Sequence, residues 1–162
     1  MRKLFSVIVL AAAAGAAVPA TAQAQVRVGA QVSFADDADV GLGVRVRADT
    51  PRLIPGAPLS LIGSFDWFFP GGNVDYFEIN GNVAYAFTIT GSVLRPYAGG
   101  GLNVARTSVD LGGGTSISNT DLGLNLLGGL NFRTAGRLQP FVELRLELSG
   151  GEQFVITGGV HF

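Results

Sequence analysis

The chain has 162 residues, enough for one domain and too few for two of ordinary size. Hydrophobic residues make up 48% of it and charged residues only 14%, which excludes disorder, while 24 glycines and 7 prolines disfavour long helices. A net charge of -1 without a long basic stretch excludes a nucleic-acid partner. The absence of cysteine removes disulfides, thiol nucleophiles and thiolate metal sites, and the single His161 removes any two-histidine site, so neither metal nor cofactor is expected.

Arg2 and Lys3 open the chain, Leu4 to Val18 form an apolar run, and Pro19-Ala20-Thr21 precedes Ala22-Gln23-Ala24. This is the three-part pattern of a secretory signal, cut after Ala24. A membrane helix is the competing reading, but the run is shorter than the roughly 20 residues that span a bilayer. Residues 1 to 24 are therefore expected to be an export signal and residues 25 to 162 the mature domain. Loss of Arg2 and Lys3 takes the net charge from -1 to -3 and leaves no lysine.

Beyond Gln25 the apolar residues fall on every second position, the period of a strand. Eight segments follow in order: Gln25 to Phe34, Asp39 to Ala48, Leu59 to Phe69, Tyr76 to Phe87, Pro96 to Ser108, Thr120 to Arg133, Leu138 to Leu148, and Gln153 to Phe162. Turn-forming residues separate them, as at Pro70-Gly71-Gly72-Asn73 and Ser149-Gly150-Gly151-Glu152.

Each strand has an apolar and a polar face. One face collects residues such as Val26, Val44, Leu61, Phe65, Ile79, Leu124, Leu144 and Leu146; the other collects Gln31, Asn80, Asn82, Asn103, Asn125 and Asn131. Also on the polar face are Arg27, Arg45, Arg47 and Arg145 and the carboxylates Asp66, Glu78, Glu143 and Glu147. Periodicity alone does not say which face is inside. A lipocalin-like soluble barrel would bury the aliphatic face. Composition favours the reverse: a solvated face recruits lysine freely, whereas this one holds glycine, asparagine and a balanced set of arginines and carboxylates suited to pairing in an interior. The expected fold is an all-β, eight-stranded antiparallel up-and-down transmembrane barrel with lipid outside and a charge lattice inside. Dividing 138 residues by eight leaves about 17 per strand and connection, and a tilted membrane strand takes about 9 to 11 of them. A barrel this narrow is filled by its own side chains, so no wide pore is expected. An even strand number puts both ends on the periplasmic side, and the outward connections are expected to be short: Ala35 to Ala38, Pro70 to Asp75, Val109 to Asn119, and Ser149 to Glu152.

Two aromatic groups fit interfacial belts: Trp67, Phe68, Phe69, Tyr76 and Phe77 near an outer loop, and Tyr85, Phe87, Tyr97, Phe132, Phe141 and Phe162 near the inner ends. A ligand platform at Trp67 to Phe69 is the alternative. Asp36, Asp37 and Asp39 read as a solvated acidic loop, since their spacing lacks the glycine and terminal glutamate of a calcium loop. Gly99-Gly100-Gly101 sits within a strand and relieves crowding, and with no following helix or lysine it is no phosphate loop. His161 lies one residue from the last position, at the inner end and far from the outer-rim Ser149 and Glu152, so no catalytic residues are assigned.

The last strand ends in Phe162 with Val160, Ile156 and Phe154 on its face, which resembles the terminal signal read by the barrel-assembly machinery. Together with the leader, the eight strands and the segment Arg95-Pro96-Tyr97-Ala98-Gly99-Gly100-Gly101-Leu102, the chain resembles the small outer-membrane β-barrel family of OmpA-type membrane domains, OmpX-like and opacity-type proteins. The resemblance spans Gln25 to Phe162. It implies a porin-like shape without a wide pore in the outer membrane of a Gram-negative bacterium, with outer-membrane lipids and lipopolysaccharide as surroundings and an undefined surface ligand. A structural or surface-interacting role without enzymatic activity is expected. The peptidoglycan-binding domain that follows many OmpA-type barrels is not expected here, and long opacity-type loops are missing.

Overall fold

A computed structural model describes residues 25–50, 54, 57–113, 115–148 and 152–162. The expected export signal, residues 1–24, lies outside the described residues. Eight strands form a single closed barrel in which each pairs antiparallel with its sequence neighbours and the last closes on the first. They are β1 (Gln25–Ala35), β2 (Asp39–Asp49), β3 (Leu59–Phe68), β4 (Val74–Ala86), β5 (Leu94–Asp110), β6 (Ser116–Phe132), β7 (Gln139–Leu148) and β8 (Gln153–His161). No helix among the described residues is long and apolar enough to cross a membrane, which says nothing of strands.

The strand period decides the two faces. Val44 and Leu144 are each 51% exposed on the outer wall, whereas their neighbours Arg45 and Arg145 are 2% and 1% exposed inside. Asp66 and Glu78 are fully enclosed. A soluble lipocalin-like barrel requires the opposite arrangement, so that alternative is excluded by the direction of the side chains. The inner face is not wholly polar: Ile62, Ala84, Tyr97 and Leu127 form one apolar cluster, and Ala35, Ala38, Phe68 and Val155 another. Closing the wall tightly needs small residues at some contacts. A side chain on Gly101 would collide with the backbone carbonyl of Gly81 on β4, consistent with a glycine set that relieves crowding.

The barrel has two ends. The upper end carries the β1–β2, β3–β4, β5–β6 and β7–β8 connections, and the lower end carries Gln25, His161 and the other three connections. The upper end departs from expectation at β5 and β6, which are each 17 residues long. Most of the segment Val109 to Asn119, expected as a loop, is a hairpin in which Val109 pairs with Ile117 and Asp110 with Ser116. Its Ser-Ile-Ser-Asn-Thr run has too few apolar residues to mark a strand, and backbone pairing holds it instead. Pairing of β6 with β7 starts only at Leu124 and Leu148, so the hairpin rises above that part of the rim.

Candidate functional site: an ion-paired core under an open mouth

Inward positions of neighbouring strands build a polar column through the barrel. In its upper layer Arg145 Nη2 lies 2.8 Å from Glu78 Oε2 and its Nε lies 2.7 Å from Glu147 Oε1. One guanidinium thus serves two buried carboxylates. Neutral donors complete the layer: the Tyr76 hydroxyl donates to Glu78 at 2.6 Å, Asn103 donates to Glu147 at 2.9 Å, and Gln153 donates to Glu147 at 2.9 Å and also to Glu78.

Asp66 is surrounded differently. Gln31 Nε2, Ser33 Oγ and Ser64 Oγ donate to it at 2.7, 3.0 and 3.3 Å, and no ion pair to it is formed among the described residues. Asp66 thus lies in the interior as expected, but its direct hydrogen-bond partners are neutral. Three uncharged donors satisfy its lone pairs, which a buried carboxylate needs whatever the donor's charge. Beside it, Asn125 donates to Asn80 at 2.9 Å and to Asn82 at 3.0 Å.

In the lower layer the guanidinium of Arg45 forks onto Glu143, with Nη1 3.2 Å from Oε1 and Nη2 on Oε2. The Tyr97 hydroxyl donates to the same carboxylate at 2.7 Å. Arg45 also lies 4.5 Å from the Phe141 ring centre, and the other side of this cluster is closed by His161, whose ring is 4.6 Å from that of Phe141. At the lower rim Arg27 and Arg47 both pair with Asp49, at 3.2 and 3.0 Å. Sequence reasoning missed Asp49 by assigning it to a loop. Its parity with Arg45 and Arg47 was the available signal.

The structure also sorts the aromatics. Trp67, Phe69 and Phe77 face outward near the upper end, with Trp67 and Phe77 stacked at 6.1 Å. Tyr85 packs edge-on to Phe87 at 5.1 Å near the lower end, where Phe132 also faces outward. Tyr76 does not belong to a belt: it points inward onto Glu78. Phe68, Tyr97 and Phe141 are buried inside as well. Each shares the parity of a polar inward residue, and parity outweighs ring chemistry. With Phe68 turned inward, Trp67 to Phe69 present no continuous ligand platform. The terminal residues Phe154, Ile156, Val160 and Phe162 all lie on the outward face of β8 and its end.

Small neighbours make room for the inward rings. A Cβ on Gly129 would sit 2.5 Å from the Tyr97 ring and 2.6 Å from the carbonyl oxygen of Val142. Above the column, a cavity of about 240 Å³ opens at the upper mouth, with Asp37, Tyr76, Thr107, Asp121 and Gln153 in its wall. Tyr76 and Gln153 form its floor and simultaneously cap Glu78, so mouth and lattice share residues. No group of three or more histidine or acidic residues able to hold a metal occurs among the described residues.

No protein-family model and no curated protein matches the chain. Solved structures do. The N-terminal β-barrel domain of Pseudomonas aeruginosa OprF superposes with a TM-score of 0.64 at 18% identity, over 86% of this chain and 98% of that one. Ail, the attachment invasion locus protein of Yersinia pestis, gives 0.60 at 16% identity over 85% and 94%. The outer membrane enzyme PagL gives 0.50 at 14% identity over 83% and 97%. At such identities the likeness is one of fold, the small eight-stranded outer-membrane barrel, and one such fold carries proteins as different as an attachment protein and an enzyme.

Proposed function

We propose that this chain is an integral outer-membrane protein of a Gram-negative bacterium, exported by a leader cut after Ala24, that acts as a structural or surface-interacting barrel without enzymatic activity. One observation carries the reading: aliphatic side chains cover the outside while Arg45, Arg145, Asp66, Glu78, Glu143 and Glu147 are buried inside. Water would penalise the exposed aliphatic wall and hydrocarbon would penalise any charge turned outward, so an apolar outside around a charged inside suits a bilayer. Outer-membrane lipids and lipopolysaccharide are then its surroundings, and the outward row Phe154, Ile156, Val160 and Phe162 is the segment offered to the assembly machinery.

The fold alone does not argue against catalysis, since PagL is an enzyme. The placement of His161 does: it is packed on Phe141 at the lower end, while the open mouth is at the upper end. Surface interaction instead falls to the β5–β6 hairpin and the mouth beneath it. The ion-paired column fills the interior and favours a closed barrel over a wide pore.

Cell fractionation combined with gel electrophoresis of boiled and unboiled samples tests the reading. Recovery in the outer membrane, with a mobility that changes on boiling, is the expected result. A chain that stays in solution without detergent after leader removal would overturn it. Planar-bilayer recording tests closure, with no large discrete conductance expected.

A further inference from the structure

We infer that the lower opening of the barrel is a binding site for one compact multivalent oxyanion, bearing phosphate or carboxylate groups, held by Arg95, Arg133 and Asn131. The inference rests on the closed barrel and adds a ligand class to the membrane-barrel reading. Arg95 shares the inward parity of Tyr97, and its partner across the β5–β6 ladder is the inward Asn131. Arg133 follows Asn131 by two residues and continues the ladder, its amide donating to the Val93 carbonyl at 2.7 Å. The two arginines are therefore diagonal neighbours on the inner wall, about 7–8 Å apart and within reach of each other's long side chains. Both are exposed, at the edge of the opening.

Like charges so placed repel unless an opposite charge stands between them. The same rim contains one such solution. Arg27 faces Arg47 directly in the β1–β2 ladder, and Asp49 takes both, at 3.2 and 3.0 Å. Arg95 and Arg133 have no side-chain partner among the described residues, and Asp49 is the one acidic side chain of that rim among them. Asn131, opposite Arg95, is 9% exposed and forms no side-chain hydrogen bond among the described residues, so its amide is a further free donor. A carboxylate or phosphate is what this group of donors lacks.

The cations surround a narrow opening. Arg47 lies 5.4 Å from the Tyr97 ring centre, so side chains of β2 and β5 meet across the interior one inward step above Arg95. Arg137, in the β6–β7 connection, adds a cation at the same end. Arg27, Arg47, Arg95, Arg133 and Arg137 against Asp49 leave five positive charges and one negative, a net of +4 among the described residues of the rim. Guanidinium groups take phosphate or carboxylate oxygens in pairs. Cations converging on a ring suit a compact anion with several charges, whereas an extended acidic chain needs a line of them.

The test titrates the mature barrel, folded in dodecyl maltoside micelles at low salt, with tripolyphosphate and with citrate by isothermal titration calorimetry. A single saturable site is expected for at least one of the two, and the tighter binder shows whether phosphate or carboxylate is preferred. R95Q and R133Q should each weaken binding about five-fold, while the upper-end variant R106Q should leave it unchanged. Boiling-dependent gel mobility establishes that each variant is folded. A folded wild type that binds neither anion, an R95Q/R133Q double variant that binds as wild type does, or an equal loss in R106Q would overturn the inference and leave the barrel reading intact. A wild type without a boiling-dependent band would instead overturn the barrel reading and this inference with it.

Discussion

Replacing Arg145 by leucine tests whether the interior column holds the barrel together. The side chain is 1% exposed and makes ion pairs of 2.8 Å to Glu78 and 2.7 Å to Glu147. Removing it strands two carboxylates out of reach of water. Deleting one partner of a buried ion pair costs about 3–5 kcal/mol. Two lost hydrogen bonds to charged groups, at about 1.5–3 kcal/mol each, give about 3–6 kcal/mol, an overlapping range. Tyr76, Asn103 and Gln153 still donate to the two carboxylates, which limits the loss, so about 4 kcal/mol is expected.

Urea unfolding in lipid vesicles measures this, followed by the fluorescence of Trp67, the only tryptophan and an outward one. The decisive control is a triple variant, R145L/E78Q/E147Q, in which neither carboxylate remains. Replacing a buried ionic cluster as a unit is often close to neutral, so this variant should recover to within about 1 kcal/mol of wild type. A single variant costing less than about 1 kcal/mol, or a triple variant no better than the single, would refute the claim that an uncompensated charge is what destabilises it.

Other perturbations probe the outer wall, the packing of the rings and the terminal strand. L144R places a charge on the hydrocarbon face, opposite Ile156 and Gly128, and should cost about 2–4 kcal/mol by the same unfolding assay. T115S in the upper hairpin should stay within about 0.5 kcal/mol, and equal tolerance at the two positions would count against the face assignment. G129V drives a side chain against the Tyr97 ring and the Val142 carbonyl, and should lose about 1–3 kcal/mol, only part of which Y97A restores because the carbonyl contact remains. F162A is expected to lower the amount of assembled barrel in cells while leaving refolding into vesicles nearly unchanged, since Phe162 is 59% exposed and packs little. A matching defect in purified refolding would show that the residue serves stability instead of assembly.

The faces of the wall were legible because a strand reports its two sides at every residue: Val44 against Arg45, Leu144 against Arg145. The same rule placed Arg27, Arg47, Glu78, Glu143 and Glu147 inside. Where chemical type was allowed to overrule parity, the reading failed. Tyr76 and Tyr97 look like interfacial rings, yet each shares parity with inward residues, and their hydroxyls donate to Glu78 and Glu143. Partner identity was not legible at all. Arg45 and Glu143 are 98 residues apart, and they meet because the shear of the closed barrel brings β2 and β7 to one level inside. Nothing local encodes that level, which also explains why Asp66 could be placed inside but not given its three neutral donors.

The order of charges along β7 suggests why the column is ionic where neutral donors also serve, as they do around Asp66. A slip of β7 by one residue would turn Glu143, Arg145 and Glu147 onto the hydrocarbon face, so the aliphatic pattern alone forbids it. A slip by two keeps every apolar residue outside and is invisible to that pattern. It is not invisible to the charges. Moved one way, Arg145 arrives where Glu143 meets Arg45; moved the other way, Glu143 arrives where Arg145 meets Glu78. Both slips bring like charges together in the interior. The Glu-Arg-Glu order thus forbids the shifts that hydrophobic alternation permits. The exchange E143R/R145E keeps composition, volume and both faces unchanged while imposing the forbidden contacts in the native register. It should therefore cost at least the roughly 3–5 kcal/mol of a broken buried pair in the Trp67 unfolding assay. Wild-type stability for that variant would show that the charges need only be present, in any order, and would leave the register to the turns.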